Sequence, residues 1–95
     1  MAANKLPMVD VLRVKALAKH RLWVRFSDGS EGVADLSDVL TGDGEMVAPL
    51  KEQAYFARVF VEMGAPTWPN GYDIDPIHLY MELRKSGALK LAATA

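Results

Sequence analysis

From Met8 to Leu17 the apolar positions Val9, Val11, Leu12 and Val14 alternate with polar ones and then slip out of step near Leu12. Side chains of a strand point alternately to its two faces, so the slip predicts either a strand covered on both faces or a bulge at that point. Ala18-Lys19-His20-Arg21 is polar enough to turn. The clearest strand is Leu22 to Phe26, with Leu22, Val24 and Phe26 on one face and Trp23 and Arg25 on the other. Ser27-Asp28-Gly29-Ser30 follows, and Asp-Gly between β-rich runs is a strong hairpin signal. Gly29 takes positive φ without a Cβ clash, and Asp28 tolerates the left-handed region. Glu31 to Leu36 then returns, which completes a three-stranded antiparallel meander.

The second half changes period. Asp35 or Ser37 caps a short turn through Val39 and Leu40 that Gly42 ends, and Thr41 to Gly44 is a flexible loop. Pro49 suits the first turn of a short helix carrying Leu50 and Phe56. Val59-Phe60-Val61 reads as a fourth strand, Gly64-Ala65-Pro66 as a turn, and Thr67-Trp68 as a fifth segment stopped by Pro69. Asp75-Pro76 is a helix start, with the Asp75 carboxylate as N-cap and Pro76 at the first helical position. That helix runs through Leu79, Tyr80 and Leu83, with Arg84 and Lys85 at its negative end and Gly87 as its stop. The fold class is therefore α+β: an N-terminal three-stranded antiparallel meander, additional short strands, short helices and a C-terminal helix. The domain organisation is a flexible tail over 1–7, a single α+β domain over 8–88 and a C-terminal tail over 89–95.

Composition narrows the functional classes. At 95 residues there is room for one core but not for a deep enclosed active site as well. A net charge of −1 supplies no global positive field for nucleic acid, although Lys15, Lys19, His20, Arg21 and Arg25 crowd together. No cysteine is present, which removes disulfides, thiol catalysis and cysteine-ligated metals. No apolar leader or membrane-length apolar run is found, so the expected location is the cytoplasm.

No catalytic constellation emerges. His20 and His78 have neither metal-ligand spacing nor a neighbouring nucleophile, and the serines fall at turns or caps without a nucleophile elbow. Gly42 and Gly44 lack the Lys-Ser/Thr of a phosphate loop. No cofactor and no metal site is expected, and the protein is not expected to be an enzyme.

The most unusual stretch is Trp68-Pro69-Asn70-Gly71-Tyr72-Asp73-Ile74-Asp75-Pro76. Together with Phe26-Ser27-Asp28-Gly29, Asp35-Leu36, Pro49-Leu50, Tyr55-Phe56 and Leu79-Tyr80, it resembles the bacterial family called domain of unknown function 2442. The resemblance covers about residues 9–80. It implies a compact α+β domain with an antiparallel sheet, and a small partner protein in an arrangement like a toxin–antitoxin pair. The resemblance thus implies an antitoxin-like role. Some relatives carry an added helix-turn-helix domain; this chain has no room for one after its helix, so it is not expected to bind nucleic acid alone.

Four expectations follow for sites. Trp68, Asn70, Gly71, Tyr72 and Asp73 are the candidate protein-interaction residues, since aromatics anchor interfaces. Asp28, Gly29, Asp75 and Pro76 are turn and cap residues. The expected partner is a small protein, and an exposed edge strand would also allow homodimerisation; no membrane partner is expected. Two alternatives belong to other classes: a small-ligand or metal-binding domain with weak enzymatic activity using Asp73 with Asp28 or Asp35, and a DNA-binding accessory centred on Lys15 to Arg25.

Overall fold

The slip at Leu12 is a β-bulge. In the computed structural model, which describes residues 8–42 and 44–91, Val11 pairs with Phe26 and Arg13 with Arg25, leaving Leu12 as the extra residue. The bulge lets Val11 face the core, exposes Leu12, and then turns Val14 and Ala16 inward in register with Val24 and Leu22. Strands β1 (Val11–Leu17), β2 (Arg21–Phe26) and β3 (Ser30–Asp35) form the expected antiparallel meander. The expected tail over 89–95 carries a further short strand, β6 (Lys90–Leu91), which pairs with Ser30 and Glu31 of β3. The sheet order is β1-β2-β3-β6. The tail over 1–7, Asp43 of the Thr41–Gly44 loop and residues 92–95 lie outside the described residues.

The β1–β2 connection is a tight turn in which Lys19 and His20 both take positive φ, at 63° and 56°. That conformation is unfavourable for residues with a Cβ, and Gln53 holds it from across the fold. Its side-chain carbonyl accepts from His20 N at 3.2 Å while its amide donates to Leu17 O at 3.1 Å. The His20 ring also donates to Lys51 O at 2.9 Å and stands edge-on to Phe56.

The β2–β3 hairpin closes through Gly29 N donating to Phe26 O at 3.0 Å, with Gly29 at φ 92°. Asp28 does not enter the left-handed region; its carboxylate instead accepts from Ser30 N and Ser30 Oγ at 3.0 and 2.6 Å. An Asx side chain of this kind closes the turn without backbone strain.

The single helix expected after Pro49 is two pieces, a 3-10 turn over Ala48–Lys51 and α1 (Gln53–Phe56), separated by Glu52 in extended conformation. On one continuous helix Leu50 and Phe56 would face about 120° apart. The break allows both to be fully buried. Strands β4 (Phe60–Glu62) and β5 (Ala65–Thr67) form a second small sheet. Its turn is Met63–Gly64 rather than Gly64–Pro66, with both residues at positive φ. Pro66 lies within β5, buried, and its carbonyl accepts from Ile74 N at 3.0 Å.

The C-terminal helix α2 (Pro76–Lys85) begins where Asp75 Oδ1 accepts from Ile77 N at 3.1 Å. Leu79, Tyr80 and Leu83 are its buried stripe. They cover the inner face of the sheet, where Leu22, Val24 and Phe26 are inaccessible to solvent. Among the described residues no helix is long and apolar enough to cross a membrane.

Candidate functional site

Residues 67–73 form a miniature hairpin. Thr67 bridges Asp73, Trp68 N donates to Tyr72 O at 2.9 Å, and Gly71 N donates to Trp68 O at 2.8 Å with Gly71 at φ 93°. Asn70 clamps it twice, its side-chain oxygen accepting from Tyr72 N at 3.1 Å and its amide donating to Met46 O at 2.9 Å. The geometry repeats that of Phe26–Ser30, with an Asx residue before a positive-φ glycine in each case.

Trp68 is not available to a partner. It is 0% exposed, packs against Phe56 with ring centroids 5.6 Å apart, and donates its indole N–H to Phe56 O at 2.9 Å. The preceding β4–β5 hairpin carries it inward, and a buried indole N–H must find an acceptor there. The candidate interaction residues therefore divide. Trp68 belongs to the core, Asn70 and Gly71 to the turn, and only Tyr72 and Asp73 reach an open concave surface.

That surface is a groove of about 670 Å³ between β3 and α2. Val33, Leu36, Val39, Ile74, Leu79 and Leu83 provide its apolar lining. Carboxylates of Asp35, Asp38, Asp73, Asp75 and Glu82 surround it, with His78 as the only basic-type side chain lining it among the described residues. Two carboxylates are committed locally: Asp75 as the helix cap, and Asp35 as acceptor from Ser37 N at 3.0 Å and Ser37 Oγ at 2.7 Å. The Ser37 hydrogen bonds, side chain first, hold the Asp35 carboxyl below its usual range. Asp38, Asp73 and Glu82 are exposed.

Asp28 lies elsewhere. Its second oxygen accepts from Tyr80 Oη at 2.7 Å, and it does not line the groove with Asp73 and Asp35. Partial burial pushes its carboxyl up, but the hydrogen bonds from Ser30 and Tyr80 outweigh this and hold it below the ordinary value. Among the described residues no three histidine or carboxylate side chains gather as a metal site.

The register of the β1–β2 hairpin sets Arg13 opposite Arg25 and Lys15 opposite Trp23, so Arg13, Lys15, Arg21 and Arg25 share the outer face of the sheet, where Arg25 is ion-paired. Arg25 bonds Glu31 at 2.9 Å and its guanidinium lies 6.0 Å from the Trp23 ring centre. Arg21 donates to Ala18 O at 3.2 Å.

A sequence-family profile described as a protein of unknown function (DUF2442) matches residues 11–85. The chain belongs to this family. The matched span of this DUF2442 protein runs from β1 to the end of α2, so it includes every described residue lining the groove except Ser86. Neither curated proteins nor solved structures give a match to it.

Sequence reasoning reached Tyr72 and Asp73 but missed the opposite walls, Val33, Asp38 and Val39 on one side and His78, Glu82 and Ser86 on the other. His78, Glu82 and Ser86 are spaced i, i+4, i+8 beside the buried Leu79–Leu83 stripe. That polar stripe was a signal only in retrospect, because any solvated helix face has the same spacing.

Proposed function

We propose that this DUF2442 protein is a cytoplasmic protein-interaction module without catalytic chemistry, and that the groove between β3 and α2 receives a small partner protein. The observation that supports this reading is the groove's construction: an apolar lining ringed by carboxylates, on a chain whose net charge is only −1. Apolar lining supplies area to bury, and a one-signed rim steers and selects a complementary partner. The role is regulatory and antitoxin-like: the protein sequesters its partner in a complex. Tyr72 is its aromatic anchor, half-buried against Trp68 at a ring-centroid distance of 6.0 Å. An aromatic already fixed by packing loses little conformational entropy on binding.

The test is capture of proteins from the native host on the tagged full chain, compared with the Asp38→Lys/Asp73→Lys/Glu82→Lys variant. These three side chains make no hydrogen bond within the described residues, so the variant should melt as the parent does. The reading expects one small protein in stoichiometric amount on the parent and its loss on the variant. Equal retention by a variant that still melts normally refutes the groove as the site.

A further inference from the structure

The groove has one wall unlike the other. Leu36 N donates to His20 O at 3.0 Å, and in an antiparallel ladder alternate residues direct their main-chain groups to alternate sides. Gly32, Ala34 and Leu36 therefore face β2 with their backbone, and Glu31, Val33 and Asp35 face away from it. Strand β6 occupies that outer side only at Ser30 and Glu31. Beyond Glu31 the chain leading into β6 passes beneath the sheet, with Ala88 O so close to Gly32 that an added Cβ would lie 2.8 Å from it. The main-chain groups of Val33 and Asp35 are left without a hydrogen-bonding partner among the described residues, and they border the groove.

Building on the groove reading above, we infer that its occupant is an extended, basic segment of the partner, which adds as a strand to the outer edge of β3 beside β6. A strand edge offers donors and acceptors that only another extended chain can satisfy; a helix in the same groove would leave them unpaired. The charge of the segment follows from the rim. Asp35, Asp38, Asp73, Asp75 and Glu82 line the groove, and among the described residues no lysine or arginine does, although Arg21 stands across the β2–β3 ladder from Asp35. An extended segment alternates its side chains between two faces. One set would lie over Val39, Ile74 and Leu79, and the other would meet the carboxylates, so alternating apolar and basic residues are the recognised chemistry.

The probe is a capped hexapeptide of alternating lysine and valine, titrated into the isotope-labelled full chain and followed by backbone amide shifts. The inference expects shifts at Val33 and Asp35 and along α2 at Leu79 and Glu82. It also expects no binding of a glutamate–valine peptide and loss of binding by the Asp38→Lys/Asp73→Lys/Glu82→Lys variant. Two N-methylated lysine–valine peptides, each blocking one alternate set of amides, separate strand addition from mere charge attraction. Methylation of the set facing β3 should weaken binding by about tenfold or more, and methylation of the other set should be tolerated. Equal binding of both methylated peptides, shifts confined to β1 or the outer sheet face, or no binding at about 1 mM peptide each overturns the inference. So does a dilution-dependent shift of Val33 and Asp35 in the free chain, which would make a second copy the occupant. If methylation has no effect while the captured partner is lost on charge reversal, strand addition is wrong and the groove reading stands. If the peptide behaves as expected but the captured partner survives charge reversal, the groove reading of that partner fails instead.

Discussion

Tyr80 donates its hydroxyl to the Asp28 carboxylate at 2.7 Å, joining the middle of α2 to the tip of the β2–β3 hairpin across 52 positions of sequence. The ring beneath that hydroxyl stands edge-on to Phe26, with centroids 5.0 Å apart and planes at 89°. The Arg84 guanidinium lies 5.7 Å from the ring centre on the same helix. Tyr80 thus ties α2 to the hairpin end of the sheet, and α2 is one wall of the groove.

Tyr80→Phe removes this hydrogen bond and little packing, so it should cost about 1 kcal/mol in urea unfolding. Asp28→Ala also removes the Ser30 contacts and should cost about 1–2 kcal/mol. The double variant should lose less than the sum of the two, because both single changes delete the same bond. Strict additivity in the four-way comparison would mean that the bond contributes nothing to stability.

The same pair predicts a pH dependence with two limbs. Asp28 titrates below its ordinary value of 3.8 in the folded chain, so its contribution is present above that value and is lost as pH falls beneath it. Hydrogen bonding to Asp28, then burial and the Asp28 charge, hold the Tyr80 phenol above its ordinary value of 10.0, with Arg84 opposing. Its contribution is present below 10.0 and is lost as pH rises beyond it. Stability should therefore be level between these limits and fall on both sides. Tyr80→Phe should reduce the alkaline fall, whereas Asp28→Asn should leave part of the acid limb, because Asp35 is held low by Ser37 independently. Thermal melts across pH 2 to pH 12 read both limbs, about two pH units beyond each ordinary value.

Trp68→Ala should destabilise the fold by about 3–5 kcal/mol, since it empties a fully buried ring site and removes the indole donor from the Phe56 carbonyl, which keeps only the 3.3 Å bond from Val59 N. Tyr72→Ala, at a half-buried position, should cost less and act mainly on partner affinity. Chemical unfolding and partner binding measured on both variants separate these effects. Comparable stability losses at the two positions would contradict the division of the motif into core and groove residues.

Gly32→Ala should be destabilising by about 1–3 kcal/mol, because the new Cβ meets the Ala88 carbonyl at 2.8 Å and backbone cannot swing aside as a flexible side chain does. The strain falls on the segment joining α2 to β6. Amide exchange of Lys90 and Leu91 should accelerate relative to that of Leu22 and Val24. Unchanged protection of β6 would mean that this contact does not hold the segment in place.

Alternation and turn chemistry determined much of the fold from the sequence alone. Leu22, Val24 and Phe26 can reach one face only as a strand, Leu12 can be accommodated only by a second buried face or a bulge, and Asp75-Pro76 starts a helix wherever it is placed. These are local consequences of backbone geometry, and they carry the meander, the hairpin and α2. Tertiary structure alone decided where Trp68 went, because an aromatic between a strand and a turn suits a core or a surface equally until the elements around it are packed. It also decided the groove. Val33 and Asp35 are exposed strand positions in sequence terms, and Glu82 is an exposed helix position. They become walls of one site because Tyr80 and Gly32 bring α2 and its C-terminal segment against β3, while β6 pairs with only two residues of that edge. Contacts between residues so far apart leave no periodic trace in the chain, since each partner satisfies its own local pattern without the other.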